Sequence, residues 1–339
     1  MNGSREGLGP SSVDCMTETS TLGSIGETAT LARIFPRLPA SSAQLLGPGD
    51  DAAVLAAPDG RYVVTTDMMV HGPDFRLAWS TPYDLGWKAA ASNLADVAAM
   101  GAVPTGLVVA IAAPADTTVS FLEAIADGLR LGCEEMAPTC GVVGGDLSVS
   151  PTLTIAVTAF GDLEGRDPVL RSGARVGDVL AVSGKLGAAA GGLQLLFSAG
   201  MVDGEPSVMA GVNLRTEHPE LVGSQLAPTP PISDGRLAAI AGATSMIDIS
   251  DGLALDARRI AAASGVALEL QLAAIGGRQA LDGGEDHSLL ATFLPSATLP
   301  GGFREIGRVV EGSGVLVDGR AYTARGGWDP YEDWNGGRG

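Results

Sequence analysis

Acidic residues recur at the ends of apolar runs in this chain, each time beside glycine, threonine or serine. The first instance, Leu46-Gly47-Pro48-Gly49-Asp50-Asp51-Ala52-Ala53-Val54-Leu55, sets two carboxylates between a Gly-Pro-Gly turn and an apolar run. Gly and Pro fix a sharp turn, and the alanine pair lets the backbone pack closely behind it. Three more clusters follow: Thr65-Thr66-Asp67, Gly144-Gly145-Asp146 and Asp248-Ile249-Ser250-Asp251-Gly252. Adjacent carboxylates repel, so a fold that holds them near its interior supplies a cation. Any one acid reads equally well as a turn residue or helix cap. Their repetition points to one shared metal site.

Composition narrows the ligand. The 339 residues are 45% hydrophobic and 18% charged, a globular balance, with a formal net charge of -18. That length is expected to give two domains. The acidity argues against nucleic acid and against anionic membranes. An anionic substrate binds such a surface only through divalent metals, which points toward phosphate chemistry with magnesium. Cys15, Cys133 and Cys140 form no CxxC pair, so reduced thiols are expected. No apolar run approaches a membrane span, and the N-terminus lacks a signal-peptide pattern. The expectation is a soluble, cytoplasmic protein.

Along the chain, periodicity and turn chemistry predict alternating elements. Residues 1–22 read as a disordered tail, and a helix is expected over 25–38, stopped by Pro39. Strands follow at 52–56 and 62–66, the second with Thr65-Thr66-Asp67 at its tip. Ser80-Thr81-Pro82 starts a helix over 82–100, placing Asn93 and Asp96 one turn apart. A strand at 106–113 and a helix at 119–136 precede strands 141–143 and 153–160, which flank a Gly144-Gly145-Asp146 turn. The connection 161–177 carries the domain boundary, dividing 23–162 from 163–331, with 332–339 as a tail. Beyond it come strand 178–183, helix 187–199, a polar loop 204–231 and helix 233–241. Strand 245–249 enters Ser250-Asp251-Gly252, which caps a helix to 264; strands at 267–270, 289–293, 304–310 and 315–317 close the chain. This is a mixed α/β (α+β) pattern in two halves.

Scattered acids suit magnesium, which takes a few carboxylates plus phosphate oxygens and water. Gly144-Gly145 would let backbone N–H groups approach a phosphate. Ser183-Gly184-Lys185-Leu186-Gly187, at a strand-to-helix turn, offers an anion site at a helix N-terminus, with Lys185 and Arg171 as possible phosphate partners. Walker A spacing and a strand-borne GxGxxG are absent. His71, His218 and His287 lack zinc spacing, and no nucleophile signature appears. Phosphoryl transfer fits because it needs positioning and charge neutralisation rather than a covalent nucleophile.

From residue 25 to 331 the chain resembles the thiamine-monophosphate kinase family, within the ATP-binding superfamily typified by aminoimidazole ribonucleotide synthetase. The motifs that carry the resemblance are Gly49-Asp50-Asp51-Ala52-Ala53, Thr65-Thr66-Asp67, Asn93-Leu94-Ala95-Asp96-Val97-Ala98-Ala99-Met100-Gly101 and Gly144-Gly145-Asp146. In the second half they are Arg171-Ser172-Gly173-Ala174, Ile247-Asp248-Ile249-Ser250-Asp251-Gly252-Leu253 and Gly283-Gly284-Glu285-Asp286. The resemblance implies a two-domain PurM-like fold, with an N-terminal sheet-plus-helices domain that forms a dimer barrel and a C-terminal α/β domain. It implies ATP-dependent phosphorylation of thiamine monophosphate to the diphosphate by direct in-line transfer. By the family pattern, Asp51, Thr65, Thr66, Asp67, Asp96, Asp146, Asp248 and Asp251 hold several magnesium ions. Gly145, Asp146, Arg171 and Ser250 contact ATP, and Asp74, Glu285 and Trp328 the thiamine substrate. A Trp face and a carboxylate suit a cationic thiazolium.

Two departures stand out. Val70-His71-Gly72-Pro73-Asp74-Phe75 puts Asp74 where many members have His, and Gln225-Leu226-Ala227-Pro228-Thr229-Pro230-Pro231 lacks the usual basic residues. The alternatives are another ATP-dependent enzyme of the superfamily, such as aminoimidazole ribonucleotide synthetase, and a non-catalytic acidic metal-binding protein. A selenophosphate synthetase is disfavoured by the missing N-terminal reactive segment.

Overall fold

A computed structural model describes residues 20–46 and 54–327. Helix α1 (Leu22–Ile34) is capped by Thr21 and passes into a 3-10 turn, Phe35–Arg37, instead of continuing to residue 38. Pro36 lacks the N–H that would bond the Ala32 carbonyl, so the α-helix stops before it. Strands β1 (Gln44–Leu46) and β2 (Val54–Leu55) pair antiparallel. Next come β3 (Val63–Val70), α2 (Pro82–Ala99), β4 (Val103–Ala113), α3 (Val119–Met136), β5 (Gly141–Val149) and β6 (Thr154–Asp162). They build a four-stranded sheet in the order β3-β6-β4-β5, with only β4 and β5 parallel.

Two expectations change here. β3 continues through Met68-Met69-Val70 on the β6 ladder, so Thr65-Thr66-Asp67 lies inside the strand rather than at its tip. β5 likewise runs straight through Gly144-Gly145-Asp146, where a turn was expected. A Cβ on Gly145 would stand 2.0 Å from the Val109 carbonyl oxygen of β4. Glycine is needed there for close strand approach beside a bulge at Leu107/Val108.

The second half contains β7 (Val179–Ser183), α4 (Ala188–Ala199), β8 (Met201–Val202), β9 (Glu205–Pro206), α5 (Val208–Glu217), α6 (Pro219–Leu226) and α7 (Ile232–Ile240). It continues with β10 (Ser245–Ile249), α8 (Leu253–Ser264), β11 (Ala267–Leu270), α9 (Leu272–Ile275) and α10 (Arg278–Asp282). The last strands are β12 (Ser288–Phe293), β13 (Arg304–Val310), β14 (Gly314–Val317) and β15 (Arg320–Ala321). A seven-stranded sheet orders them β10-β12-β7-β13-β11-β14-β15, antiparallel except between β11 and β14. The expected polar loop at 204–231 instead holds α5 and α6. Ser207 caps the first and Pro219 starts the second, but few residues of either are buried, too sparse a stripe to read as a period.

Helix α2 is the centre of the molecule. Thr81 and Asp84 form a capping box at its start, and nearly every residue of it is buried. One apolar cluster runs from the first sheet through Leu94, Val97 and Ala98 of α2 into Ala181, Met246, Leu289 and Phe293 of the second. A separate cluster fills the other face of the second sheet beneath α8. The α2–α3 contact is close enough that a Cβ on Gly86 would stand 2.0 Å from the Ile125 carbonyl oxygen. Among the described residues no helix is long and apolar enough to cross a membrane.

Gly86→Ala is expected to destabilise the protein by ~1–3 kcal/mol through overpacking. Gly223→Ala, with nothing within 4 Å of its Cβ position in α6, should stabilise by about 0.5–1 kcal/mol. Thermal denaturation of both variants checks the pair; equal melting temperatures would contradict it.

Candidate active site

Strand alternation divides Thr65-Thr66-Asp67 between two faces of the sheet. Thr65 and Asp67 turn toward α2. Thr66 turns away, donating to the Val157 carbonyl at 2.9 Å and accepting from Thr158 Oγ1 at 3.2 Å. β3 is an edge strand, and side chains from outside the sheet meet its backbone. Asn93 Oδ1 accepts the Asp67 N–H at 3.1 Å, and Asp74 Oδ2 accepts the Val70 N–H at 2.6 Å. From α2, Asp96 Oδ2 accepts the Thr65 hydroxyl at 2.7 Å.

The second sheet delivers the facing acids. Asp248, only 5% exposed near the end of β10, has Oδ2 3.4 Å from His287 Nδ1. Residues 284–287 run alongside: the Glu285 N–H donates to the Ser250 carbonyl (2.7 Å) and the His287 N–H to that of Ile249 (2.9 Å). Glu285 (φ 66°) and His287 (φ 49°) are both left-handed, a strained backbone typical of functional sites. Asp251 pairs with Arg259 Nη2 at 2.5 Å, and Arg259 also pairs with buried Asp256. The Asp256 carboxylate accepts the N–H groups of Asp251 (3.2 Å) and Gly252 (3.1 Å), which pins the turn.

Crowding of like charge marks the centre. Burial, then the charges of Asp248 and Asp67, push Asp96 up to about 7; the Thr65 hydroxyl and His287 pull the other way. Burial also raises Asp67, which feels Asp248 together with Glu285 and Asp251. Burial disfavours charge on His287, yet its hydrogen bond to Asp248 and the charge of Glu285 raise it overall. Burial alone would raise Glu285, but the Lys88 ammonium and His287 hold it below its ordinary value. Lys88, 6% exposed on α2, is ion-paired with Glu285 and donates to the Gln225 carbonyl at 3.3 Å.

Two clefts meet these acids. One, of about 690 Å³, is lined by Thr65, Asp96, Asp248 and Arg171. The other, of about 240 Å³, sets Asp74, Lys88, Asp251 and Glu285 against an apolar wall that includes Trp79 and Phe197. Asp67 feels acids of both clefts, Asp248 of the first and Asp251 and Glu285 of the second.

Residues 49–163 match the family described as AIR synthase related protein, N-terminal domain. Over 93% of this chain and 94% of the relative, the sequence is 44% identical to the thiamine-monophosphate kinase of Mycobacterium tuberculosis (strain CDC 1551 / Oshkosh). This chain belongs to the thiamine-monophosphate kinase family. The fold is similar to a solved thiamine-monophosphate kinase from Stenotrophomonas maltophilia K279a (TM-score 0.71, 30% identity, covering 87% of this chain and 96% of that one). It is also similar to AaThiL complexed with AMPPCP and TMP (TM-score 0.67, 32% identity, covering 90% and 96%).

Of the residues expected from the thiamine-monophosphate kinase pattern, the structure gathers Thr65, Asp67, Asp96, Asp248, Asp251 and Glu285, with Arg171 and Asp74 on the cleft walls. The Ser250 carbonyl is taken by Glu285. Gly145 and Asp146 lie apart, on the opposite edge strand from β3; in register, Gly145 aligns with Asp67 through Val109 and Val157. Alternation sends the Asp146 side chain to the face shared with Thr66. The expected anion site at the start of α4 is filled by Asp286, whose carboxylate accepts the N–H groups of Gly187 (2.5 Å) and Ala189 (3.0 Å). Lys185 stands exposed beside it. Asp51 and Trp328 lie outside the described residues. Sequence reading missed Lys88, His287, Trp79 and Phe197. A signal was present for the first: the chain carries 21 basic residues, but its only lysines are Lys88 and Lys185.

The carboxyl shift gives a signed prediction. With a folded-state value of about 7 against an ordinary 3.8, Asp96 costs stability increasingly as pH rises between these values, and fully above them. Asp96→Asn should therefore raise the melting temperature of the metal-free protein at pH 8, with a smaller gain at pH 5. A fall at pH 8 would contradict the crowding of Asp96 by Asp67 and Asp248.

Proposed function

We infer that this chain transfers the terminal phosphoryl group of ATP to thiamine monophosphate, forming thiamine diphosphate. The observation that carries the reading is the acid cluster standing between two clefts of different chemistry. The larger, with Arg171 at its wall, suits the nucleotide phosphates. The smaller pairs an aromatic wall with mixed charges, as a heteroaromatic phosphate monoester requires. Acceptor and donor phosphates would then meet at Asp67, and no covalent nucleophile is needed.

Magnesium is part of the same reading. The acids around Asp96 offer oxygen donors, and burial together with their mutual repulsion raises Asp67 and Asp96, against the pull of His287. Among the described residues, no three potential ligands already converge as a cage, in keeping with an ion that retains water and phosphate oxygens. Thr65, Asp67, Asp96, Asp248 and Asp251 would hold the ions, with Asp51. When bound, the metal neutralises charge developing on the transferring phosphate. The protein itself positions: Asn93 and Thr65 fix Asp67 and Asp96, while Arg259 and Asp256 fix Asp251.

A homodimer is supported by the outer face of the four-stranded sheet. Val64 (60% exposed) and Met68 (62%) stand there with Thr66 and Asp146 on a face without a helix cover. A second copy covering that face would bury it, and would bring Thr66 and Asp146, the two expected ligands that point away from the cluster, to the interface. Residues 23–162 and 163–331 would form the two domains of each copy. Free, buried Cys133 and Cys140 support a cytoplasmic location.

Purified protein with ATP, magnesium and thiamine monophosphate should form thiamine diphosphate, with no product from free thiamine. Asp67→Asn should abolish turnover with the fold retained; near-normal activity would remove the shared-metal model. Magnesium should raise the melting temperature of the native chain and do so less for Asp96→Asn. Met68→Asp should halve the mass seen by light scattering, and a native chain already monomeric would end the dimer reading.

A further inference from the structure

Lys88 and Glu285 face each other inside the smaller cleft, and we propose that this ion pair is the recognition element for a zwitterionic acceptor. The acceptor's phosphate replaces Glu285 as partner of the Lys88 ammonium, while its ring cation takes over the Glu285 carboxylate. The inference rests on the thiamine monophosphate reading and extends it to a residue without an assigned role.

The cleft itself supplies the reasons. Its cations are Lys88 and Arg76, and the Arg76 guanidinium lies over the rings of Trp79 (5.6 Å) and Phe197 (5.1 Å). Asp74, Asp251 and Glu285 make the remaining lining acidic, so an entering phosphate has Lys88 as its buried cationic contact. Apart from the ammonium, the buried Oε2 of Glu285 has no hydrogen-bond partner. Taking Lys88 away therefore leaves that carboxylate without its ion-pair partner unless the same ligand brings a positive charge. The Lys88 side chain is buried while that of Glu285 is 36% exposed, with its Oε2 buried; stripping the partner from such a charge is unfavourable, whereas exchanging partners keeps both charges satisfied. A ligand carrying only the cation strands Lys88, and one carrying only the phosphate strands Glu285. Selection for a molecule bearing both follows. The apolar wall of Trp79, Leu193 and Phe197 would receive the rings, with the ring cation turned to Glu285 and the phosphate arm to Lys88.

The test uses the full-length chain with ATP, magnesium and thiamine monophosphate. The reversed pair, Lys88→Glu with Glu285→Lys, restores the internal attraction but inverts its polarity. Melting temperature near native is expected, with KM for thiamine monophosphate raised about 10- to 100-fold, the worth of a charged hydrogen bond. KM for ATP should move by less than about threefold, since the nucleotide occupies the other cleft. Where the reversed pair does not fold, the neutral pair Lys88→Met with Glu285→Gln is expected to give the same split. Native KM for thiamine monophosphate in either folded variant, or equal rises for both substrates, would overturn the proposal and leave the kinase reading standing. Native chain inactive on thiamine monophosphate would overturn that reading and the recognition proposal with it.

Discussion

A helix buried on every side must have each of its polar side chains answered from elsewhere in the chain. α2 is such a helix, and its partners draw the molecule together. Asp84 pairs with Arg215 of α5, and Lys88 with Glu285 after α10. Asn93 holds the Asp67 N–H and Asp96 the Thr65 hydroxyl of β3. The same helix is clasped by α3 at Gly86 and by α7 at Gly235, where a Cβ would stand 2.1 Å from the Ala98 carbonyl oxygen. Side chains on this helix therefore sit at fixed positions between the two sheets, which is what a site built from both sheets requires.

Holding Asp67, Asp96 and Asp248 in one place works against folding, and the fold offsets the repulsion only in part. His287 answers Asp248, and Lys88 answers Glu285. Asp96 has a threonine hydroxyl, which stabilises its charge far less than a cation does. The arrangement is a local instability maintained by well-packed surroundings, as the left-handed backbone at Glu285 and His287 also is. A divalent ion at the same place would turn that repulsion into binding energy.

Much of this was legible in the sequence because it rests on local chemistry. The Thr81-Pro82 start fixed α2, the stretch Ser245–Ile249 with its Met and two Ile gave β10 before Ser250-Asp251-Gly252, and the apolar stripe of α3 matched its bounds at both ends. The acids of the cluster were also readable, since they cluster with Gly, Ser and Thr. What was not legible depends on tertiary pairing. Gly144-Gly145-Asp146 has turn composition, yet the parallel partner β4 holds it extended. Thr65-Thr66-Asp67 looks like a strand tip until the β6 ladder extends β3 to Val70. α5 and α6 bury too few residues to show a period. Lys88 has no local partner in the sequence; Glu285, far along the chain, meets it only in the fold.

The rarity of lysine gives that last case a physical meaning. The chain carries its surface positive charge almost entirely on arginine, whose planar fork grips a carboxylate bidentately, as Arg215 grips Asp84 and Arg259 bridges Asp251 and Asp256. Those pairs hold structure, and firmness serves them. At residue 88 a fork would lock Glu285 in the same way. A lysine is a point charge on a flexible stem, with three rotating donors. Its ammonium can leave a carboxylate for a phosphate lying a short distance away without breaking a two-bond geometry. Where partners must be held, this chain uses arginine; among the described residues, the buried cation that lines the smaller cleft is a lysine.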